Sequence, residues 1–219
     1  LETLLQDLIQ NQQNPTIALL IKPGYIEIRL TAKGESKADC QEKLGPWRSI
    51  LLERLEDIRS LDTSMLEDFH KVALETGITI GTTESCTGGL VGKILTDLGG
   101  SSGYYQGGII SYANAVKEQV LGVSSETLAT YGAVSEETAK EMVEGVFRVL
   151  RTDYAIATTG IAGPGGGSQE KPVGLVYIGI GTPRGITVHK EIFIGDRTSI
   201  RKSVAERAIQ YVYKELIER

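Results

Sequence analysis

The chain has 219 residues, room for one domain or two, with 41% hydrophobic residues and a net charge of −5. That apolar content supports a real core, while a pI near 5.2 argues against a general nucleic-acid binder, which needs a basic face. The cysteines are Cys40 and Cys86 alone, too few and too far apart for a disulfide framework, so the expectation is a reduced, cytoplasmic protein.

No apolar run approaches the length of a membrane span, no segment reads as a signal peptide, and a start at Leu1 rather than Met reads as a piece of a longer chain. Two His and two Cys at no ligand spacing argue against a metal site. His70 falls in a predicted helix and His189 in a predicted strand, where an ordinary, satisfied imidazole is the plain reading. A mechanism for this chain should therefore not need His, which sets aside most Ser-His-Asp schemes.

In chain order, TIALLI (16–21) and YIEIRLT (25–31) read as two strands, and the link KPG between them as a hairpin turn. Residues 36 to about 59 read as a charged amphipathic helix, interrupted near Gly45-Pro46. This small ββα unit belongs to a first domain over 1–62. With 8 Lys or Arg against 10 Asp or Glu it offers no basic groove, and it lacks the GxxG loop of an RNA-gripping KH module.

A second domain is expected over 63–219. It opens with a helix (64–76), a strand ITIGTT (78–83), the turn ESCTGG, and a helix with Leu90, Ile94, Leu95 and Leu98 on one face. GGIIS (107–111) reads as a strand. Ser124 or Ser125 could cap a short helix, and Ser135, followed by Glu136 and Glu137, a longer one to about Leu150. YAIATT (154–159) reads as a buried strand. LVYIGIGT (175–182), the turn PRG and ITVHKEIFI (186–194) read as a hairpin, and a last helix runs from about Thr198 to the end. Strands alternating with helices, plus one hairpin, predict an α/β three-layer sandwich whose mixed sheet is covered by helices on both faces.

Four stretches could carry chemistry. ESCTGG ends a strand in a sharp turn and feeds a helix, so Ser85 or Cys86 would stand beside unpaired N–H groups able to hold an oxyanion. A plain helix cap is the competing reading. The residue types do not rank the two nucleophiles, since Cys is intrinsically the stronger and a helix N-terminus lowers its pKa. GIAGPGGG (160–167) follows a buried strand, where glycines let backbone amides approach an anion closely. It fits neither a P-loop nor a dinucleotide fingerprint. SYANAVK (111–117) supplies Lys117, the remaining candidate base once His is discounted. A free lysine titrates near 10.4. Base duty at neutral pH needs the amine made about a thousandfold more acidic, roughly 4 kcal/mol of differential interaction, and burial could supply it. In GDRTSIRKS (195–203), Arg197 at a helix start could clamp a phosphate.

Taken together, TESCTGG, SYANAVK, TGIAGPGGGSQEKPVG and GDRTSIRKSVAERA resemble, in order and spacing, the C-terminal domain of the competence/damage-inducible CinA family. The resemblance covers about 64–219, and the ββα unit before it resembles the family's small KH-like middle domain. The family's large N-terminal domain, similar to molybdopterin-binding proteins, has no counterpart in this sequence. The resemblance implies a nicotinamide mononucleotide (NMN) deamidase of pyridine nucleotide salvage, releasing nicotinate mononucleotide and ammonia. It matches Ser85 to the nucleophile and Lys117 with Tyr112 to its activating pair. Thr87, Gly88, Gly89, Thr159, Gly160, Ala162, Gly163, Gly165 and Arg197 match positions near the substrate. It implies no metal, no organic cofactor and a homodimer, and it makes Cys86 a small packed residue and Glu84 polar support. The implied chemistry is acyl-enzyme hydrolysis, with amides near Cys86 to Gly89 holding the oxyanion. Two other classes stand beside it: a catalytically inactive nucleotide-binding or assembly module, and an RNA-binding adaptor, which the acidic balance and missing GxxG disfavour.

Overall fold

The computed structural model describes residues 1–22, 25–55 and 63–218. The chain folds as two compact units, Leu1–Arg59 and Ser60–Arg219. Among the described residues, no helix is long and apolar enough to cross a membrane.

The first unit contains α1 (Glu2–Gln10), β1 (Thr16–Lys22), β2 (Tyr25–Thr31) and α2 (Lys37–Arg54). The two strands pair antiparallel in unbroken register, from Thr16 opposite Thr31 to Lys22 opposite Tyr25. Pro23 and Gly24, the rest of the expected turn, lie outside the described residues. Leu5, Ile17, Leu51 and Leu55 form the core. Two expectations are corrected. The unit opens not with a strand but with α1, which places Leu5 fully inside the core. Helix α2 also runs unbroken through Pro46. A proline inside a helix removes one hydrogen bond and crowds the preceding turn. Here Pro46 sits on the exposed face of the helix. Residues 56–59 of the expected helix lie outside the described residues.

The second unit is a five-stranded mixed sheet in the order β4-β3-β5-β6-β7. Its strands are β3 (Ile80–Glu84), β4 (Tyr105–Ile110), β5 (Tyr154–Gly160), β6 (Leu175–Thr182) and β7 (Gly185–Ile192). Strands β4, β3 and β5 are mutually parallel, and β6 and β7 complete the sheet antiparallel. The helices are α3 (Thr63–Thr76), α4 (Leu90–Thr96), α5 (Asn114–Gln119), α6 (Ser125–Thr130), α7 (Glu136–Leu150) and α8 (Arg197–Ile217). Ser124 caps α6 and Ser135 caps α7 through side-chain bonds to the Glu126 and Thr138 amides. The start of β3 moves to Ile80 from the expected 78, and β4 covers 105–110 rather than 107–111. Short apolar runs fix the existence of a strand better than its ends.

Alternation along β5 separates the two faces. Ile156 packs with Ile178, Ile200, Val204 and Ala208 under α4 and α8, while Ala155 and Ala157 pack with Met142, Val143 and Val146 of α7. Burying one such Val, Ile or Met contributes about 1.5–3 kcal/mol, so each face is held by several independent contributions. Helix α7 lies close because Gly181 of β6 leaves room. A Cβ there would stand 2.4 Å from the Phe147 ring and 2.5 Å from Val143. The chain leaves β3 through α4 to reach β4 on one side, then returns through α7 to β5 on the other. The carboxyl ends of β3 and β5 therefore flank a topological switch point, where α/β sheets bind ligands.

Candidate active site

Strand register brings three segments to that edge. Glu84, the last residue of β3, lies opposite Ile110 of β4 and Thr158 of β5. Ser85 extends the ladder by donating its amide to the Thr158 carbonyl at 2.9 Å. Ser111 follows β4 directly, and its hydroxyl is tied to that of Thr83 at 2.9 Å. The next turn of chain begins α5, whose Lys117 points back at the end of β3.

Lys117 is 1% exposed. Its Nζ donates to the Ser111 carbonyl at 2.7 Å and lies 3.2 Å from Ser85 Oγ. Among the described residues no carboxylate pairs with it. Burial lowers its pKa because the interior disfavours the ammonium; the neighbouring Cys86 opposes this more weakly. A neutral amine suits these two partners: one N–H goes to the Ser111 carbonyl, and the lone pair can accept the Ser85 hydroxyl proton.

Cys86 is 6% exposed. Burial, with a smaller contribution from the Glu84 carboxylate, pushes its thiol up to about 12. A thiol so far from ionisation is a poor nucleophile at neutral pH. Of the two side chains that residue types left level, Ser85 is the one whose oxygen lies within hydrogen-bond distance of Lys117 Nζ.

Glu84 explains the turn. Its Oε2 accepts from the Gly89 and Val91 amides at 2.8 and 3.1 Å, and its Oε1 from Gly92 at 2.9 Å. The carboxylate thus satisfies the start of α4, a charge-assisted cap. The tight return needs Gly88 and Gly89, at φ +59 and +99. Of the amides expected near the oxyanion, Gly89 is already engaged. Those of Cys86, Thr87 and Gly88 donate to no oxygen among the described residues.

The remaining expected residues fall into two groups. Thr87 and Thr159 are buried; the Thr87 hydroxyl pairs with Thr158 at 2.7 Å, and the Thr159 hydroxyl donates to the Ala133 carbonyl. Both side chains are engaged internally rather than open to a ligand. Gly160 packs so tightly that a Cβ would lie 2.5 Å from Val176. Ala162 and Gly163 are buried while Gly165 is exposed, so the glycine loop leaves the core and reaches the surface at its middle. Arg197, at the first position of α8, joins this loop to Tyr112. Its Nη1 donates to the Gly163 carbonyl at 2.8 Å and its Nη2 to the Tyr112 hydroxyl at 3.1 Å. Tyr112 is 60% exposed and, among the described residues, makes no hydrogen bond to Lys117 or Ser85. The carbonyl of Ser111, not the phenol of Tyr112, is what holds the lysine.

Sequence reasoning missed Ser111 and Arg201. Arg201 donates to the carbonyls of Cys86 and Thr87 at 3.2 and 2.7 Å. Its one sequence signal is the spacing of four from Arg197, which puts both on one helix face. A cleft lined by Glu84, Gly89, Gly92, Tyr105 and Ile110 includes none of Ser85, Tyr112 or Lys117. Hydrogen-bond geometry marks the site. No group of three His, Cys, Asp or Glu side chains among the described residues could hold a metal ion.

Residues 62–216 match the family profile of the CinA C-terminal domain, and 1–58 that of the damage-inducible protein CinA KH domain. A CinA-like protein of Leptospira interrogans is 45% identical over 198 residues, covering 89% of this chain and 45% of that one. A CinA-like protein of Kosmotoga olearia is 42% identical over 215 residues, covering 97% and 52%. The chain thus spans about half the length of the curated relatives it matches. Among solved structures, the competence/damage inducible protein of Agrobacterium tumefaciens superposes with a TM-score of 0.66 at 39% identity, covering 73% of this chain and 99% of that one. A CinA superfamily protein of Klebsiella pneumoniae superposes with a TM-score of 0.69 at 29% identity, covering 73% and 100%. With both of its units matched, the chain belongs to the CinA family.

Proposed function

We propose that the second unit is an amidase that hydrolyses the carboxamide of NMN to nicotinate mononucleotide and ammonia. The observation that carries this reading is the buried Lys117 amine, 3.2 Å from Ser85 Oγ, held by the Ser111 carbonyl and without a carboxylate partner among the described residues. A lysine placed and desolvated in this way has the features of a general base toward a serine.

In this reading Ser85 Oγ bonds to the carboxamide carbon while its proton passes to Lys117 Nζ. The carbonyl oxygen becomes an oxyanion held by amides of the Cys86–Gly88 turn. The Lys117 ammonium then gives its proton to the leaving nitrogen, the C–N bond breaks, and ammonia departs from an ester on Ser85. Lys117, neutral again, takes a proton from water as the hydroxide oxygen attacks the ester, and returns it to Ser85 Oγ as the acid is released. The substrate's phosphate is assigned to Arg197, whose guanidinium meets only neutral acceptors among the described residues, with Tyr112 and the loop around Gly163 beside it. Ammonia release from NMN by wild type, abolished in Ser85→Ala, is the expected result. Binding of NMN without ammonia release would leave a nucleotide-binding module and sink the amidase reading.

A further inference from the structure

Arg201 lies one turn along α8 from Arg197 and reaches back to the turn that carries Ser85. Its Nε bonds the Cys86 carbonyl at 3.2 Å and its Nη2 the Thr87 carbonyl at 2.7 Å. The peptide links from Cys86 to Gly88 are trans, since the cis bonds of the described chain are Asn14–Pro15 and Gly163–Pro164. In a trans peptide the carbonyl and the next residue's N–H point in opposite directions. Two successive carbonyls drawn to one guanidinium therefore turn two successive amides, those of Thr87 and Gly88, away from α8. Successive N–H groups turned to one side make an anion-binding concavity.

Neither donates to an oxygen among the described residues, the Thr87 amide facing the weakly accepting Cys86 sulfur, whereas the next, Gly89, is held by Glu84. Within the turn itself the Thr87 carbonyl receives only a 3.4 Å bond from the Leu90 amide. The 2.7 Å bond from Arg201 is the stronger constraint on that peptide plane. The guanidinium also fits closely: a Cβ at Gly88 would stand 3.2 Å from its Nη2.

We infer that Arg201 is a positioning residue that aims the Thr87 and Gly88 amides at the oxyanion formed when Ser85 attacks a carbonyl carbon. The inference rests on the amidase reading and deepens it by naming the two donors and what holds them. Arg201 stands behind the peptide planes and touches no reacting atom. A planar fork holds two carbonyls at once; an ammonium acts as a single point and does not.

The test uses Arg201→Ala and Arg201→Lys with two readouts. One is ammonia release from NMN. The other is the rate at which a fluorophosphonate labels Ser85. In labelling, Ser85 Oγ bonds to phosphorus, fluoride leaves, and the serine proton passes to Lys117. The phosphoryl oxygen calls on the same two amides, whatever the natural substrate is. Losing one oxyanion donor outright costs ~10²–10³ in kcat. Loosening two should cost Arg201→Ala roughly 10- to 100-fold in kcat and a similar factor in labelling, with KM changed by less than about threefold. Arg201→Lys should recover only a small part, and added guanidinium should restore Arg201→Ala. Thermal unfolding is followed for both, and Arg201→Lys carries the test if Arg201→Ala does not fold. Unchanged labelling and turnover in a folded variant, or full recovery by lysine, overturns the inference. Wild type that labels at Ser85 but releases no ammonia from NMN overturns the substrate assignment alone, and labelling rates then decide the role of Arg201.

Discussion

Replacing Lys117 by Met keeps the length of the side chain and removes the amine, so it separates base from filler. Lys117 is 1% exposed, its Nζ is 2.7 Å from the Ser111 carbonyl and 3.2 Å from Ser85 Oγ, and burial lowers its pKa. A positioned general base contributes about 10²–10⁴ in rate, so kcat for ammonia release should fall by that factor while KM moves little. In wild type the acid limb of the pH–rate profile should reflect protonation of this amine. Activity rises with pH as Lys117 loses its proton and levels off below the free-lysine value near 10.4. Stability provides an independent check. A base whose folded pKa lies below its unfolded value binds fewer protons folded than unfolded, so stability rises with pH from the lowered pKa up to about 10.4. Every tenfold difference in proton affinity is worth about 1.4 kcal/mol. Urea titrations of wild type and Lys117→Met from neutral pH to about pH 10 should show this slope in wild type and its loss in the variant. The Ser111 carbonyl loses its donor in the variant, a pH-independent cost of about 1–3 kcal/mol. An acid limb at the free-lysine value, a loss of activity lying wholly in KM, or equal pH slopes in the two proteins would refute the assignment of Lys117 as a neutral base.

Ser85→Ala should abolish ammonia release, while Cys86→Ala should retain activity within about threefold, because the buried thiol is held protonated; side-by-side kcat measurements decide, and the reverse pattern would require a thiol mechanism. Arg197→Ala should lower kcat/KM on NMN by roughly ten- to several-hundred-fold, the worth of one charged hydrogen bond or two. It should hardly alter turnover of nicotinamide riboside, which lacks the phosphate, and equal losses on both compounds would remove Arg197 from the site. Glu84→Gln turns an NH₂ toward amides that now meet only carboxylate oxygens. It should cost about 3 kcal/mol, roughly 6–12 °C in Tm by calorimetry, and an unchanged Tm would refute the cap.

The sequence revealed elements with strong periodicity or clear punctuation. Ser124 and Ser135 announced their helices by cap chemistry, and the alternation of strands with helices foretold the mixed sheet. Helix α5, only Asn114–Gln119, escaped notice because six residues are too few to display a period. Pro46 misled because proline disfavours a helix interior without forbidding it, and α2 runs through it.

At the site the limit has a different cause. Residue types offered Ser85 level with Cys86, and Lys117 and Arg197 as candidates; it was the resemblance that singled the three out. Ser111 and Arg201 act through backbone carbonyls, the first as acceptor for Lys117 and the second as donor to Cys86 and Thr87. Every residue offers a carbonyl, so no residue type signals that one has been chosen; only the fold does, by bringing α5 and α8 to the end of β3. The same reasoning accounts for Glu84. Beside Ser85 its expected role was polar support, and three amide bonds to its two oxygens give that support the form of a cap on the turn. With Gly89 so engaged, the amides nearest the nucleophile that donate to no oxygen among the described residues are those of Cys86, Thr87 and Gly88. A site for a developing negative charge can thus lie one residue from a buried carboxylate, because three amides at the start of α4 face that carboxylate and offset part of its charge.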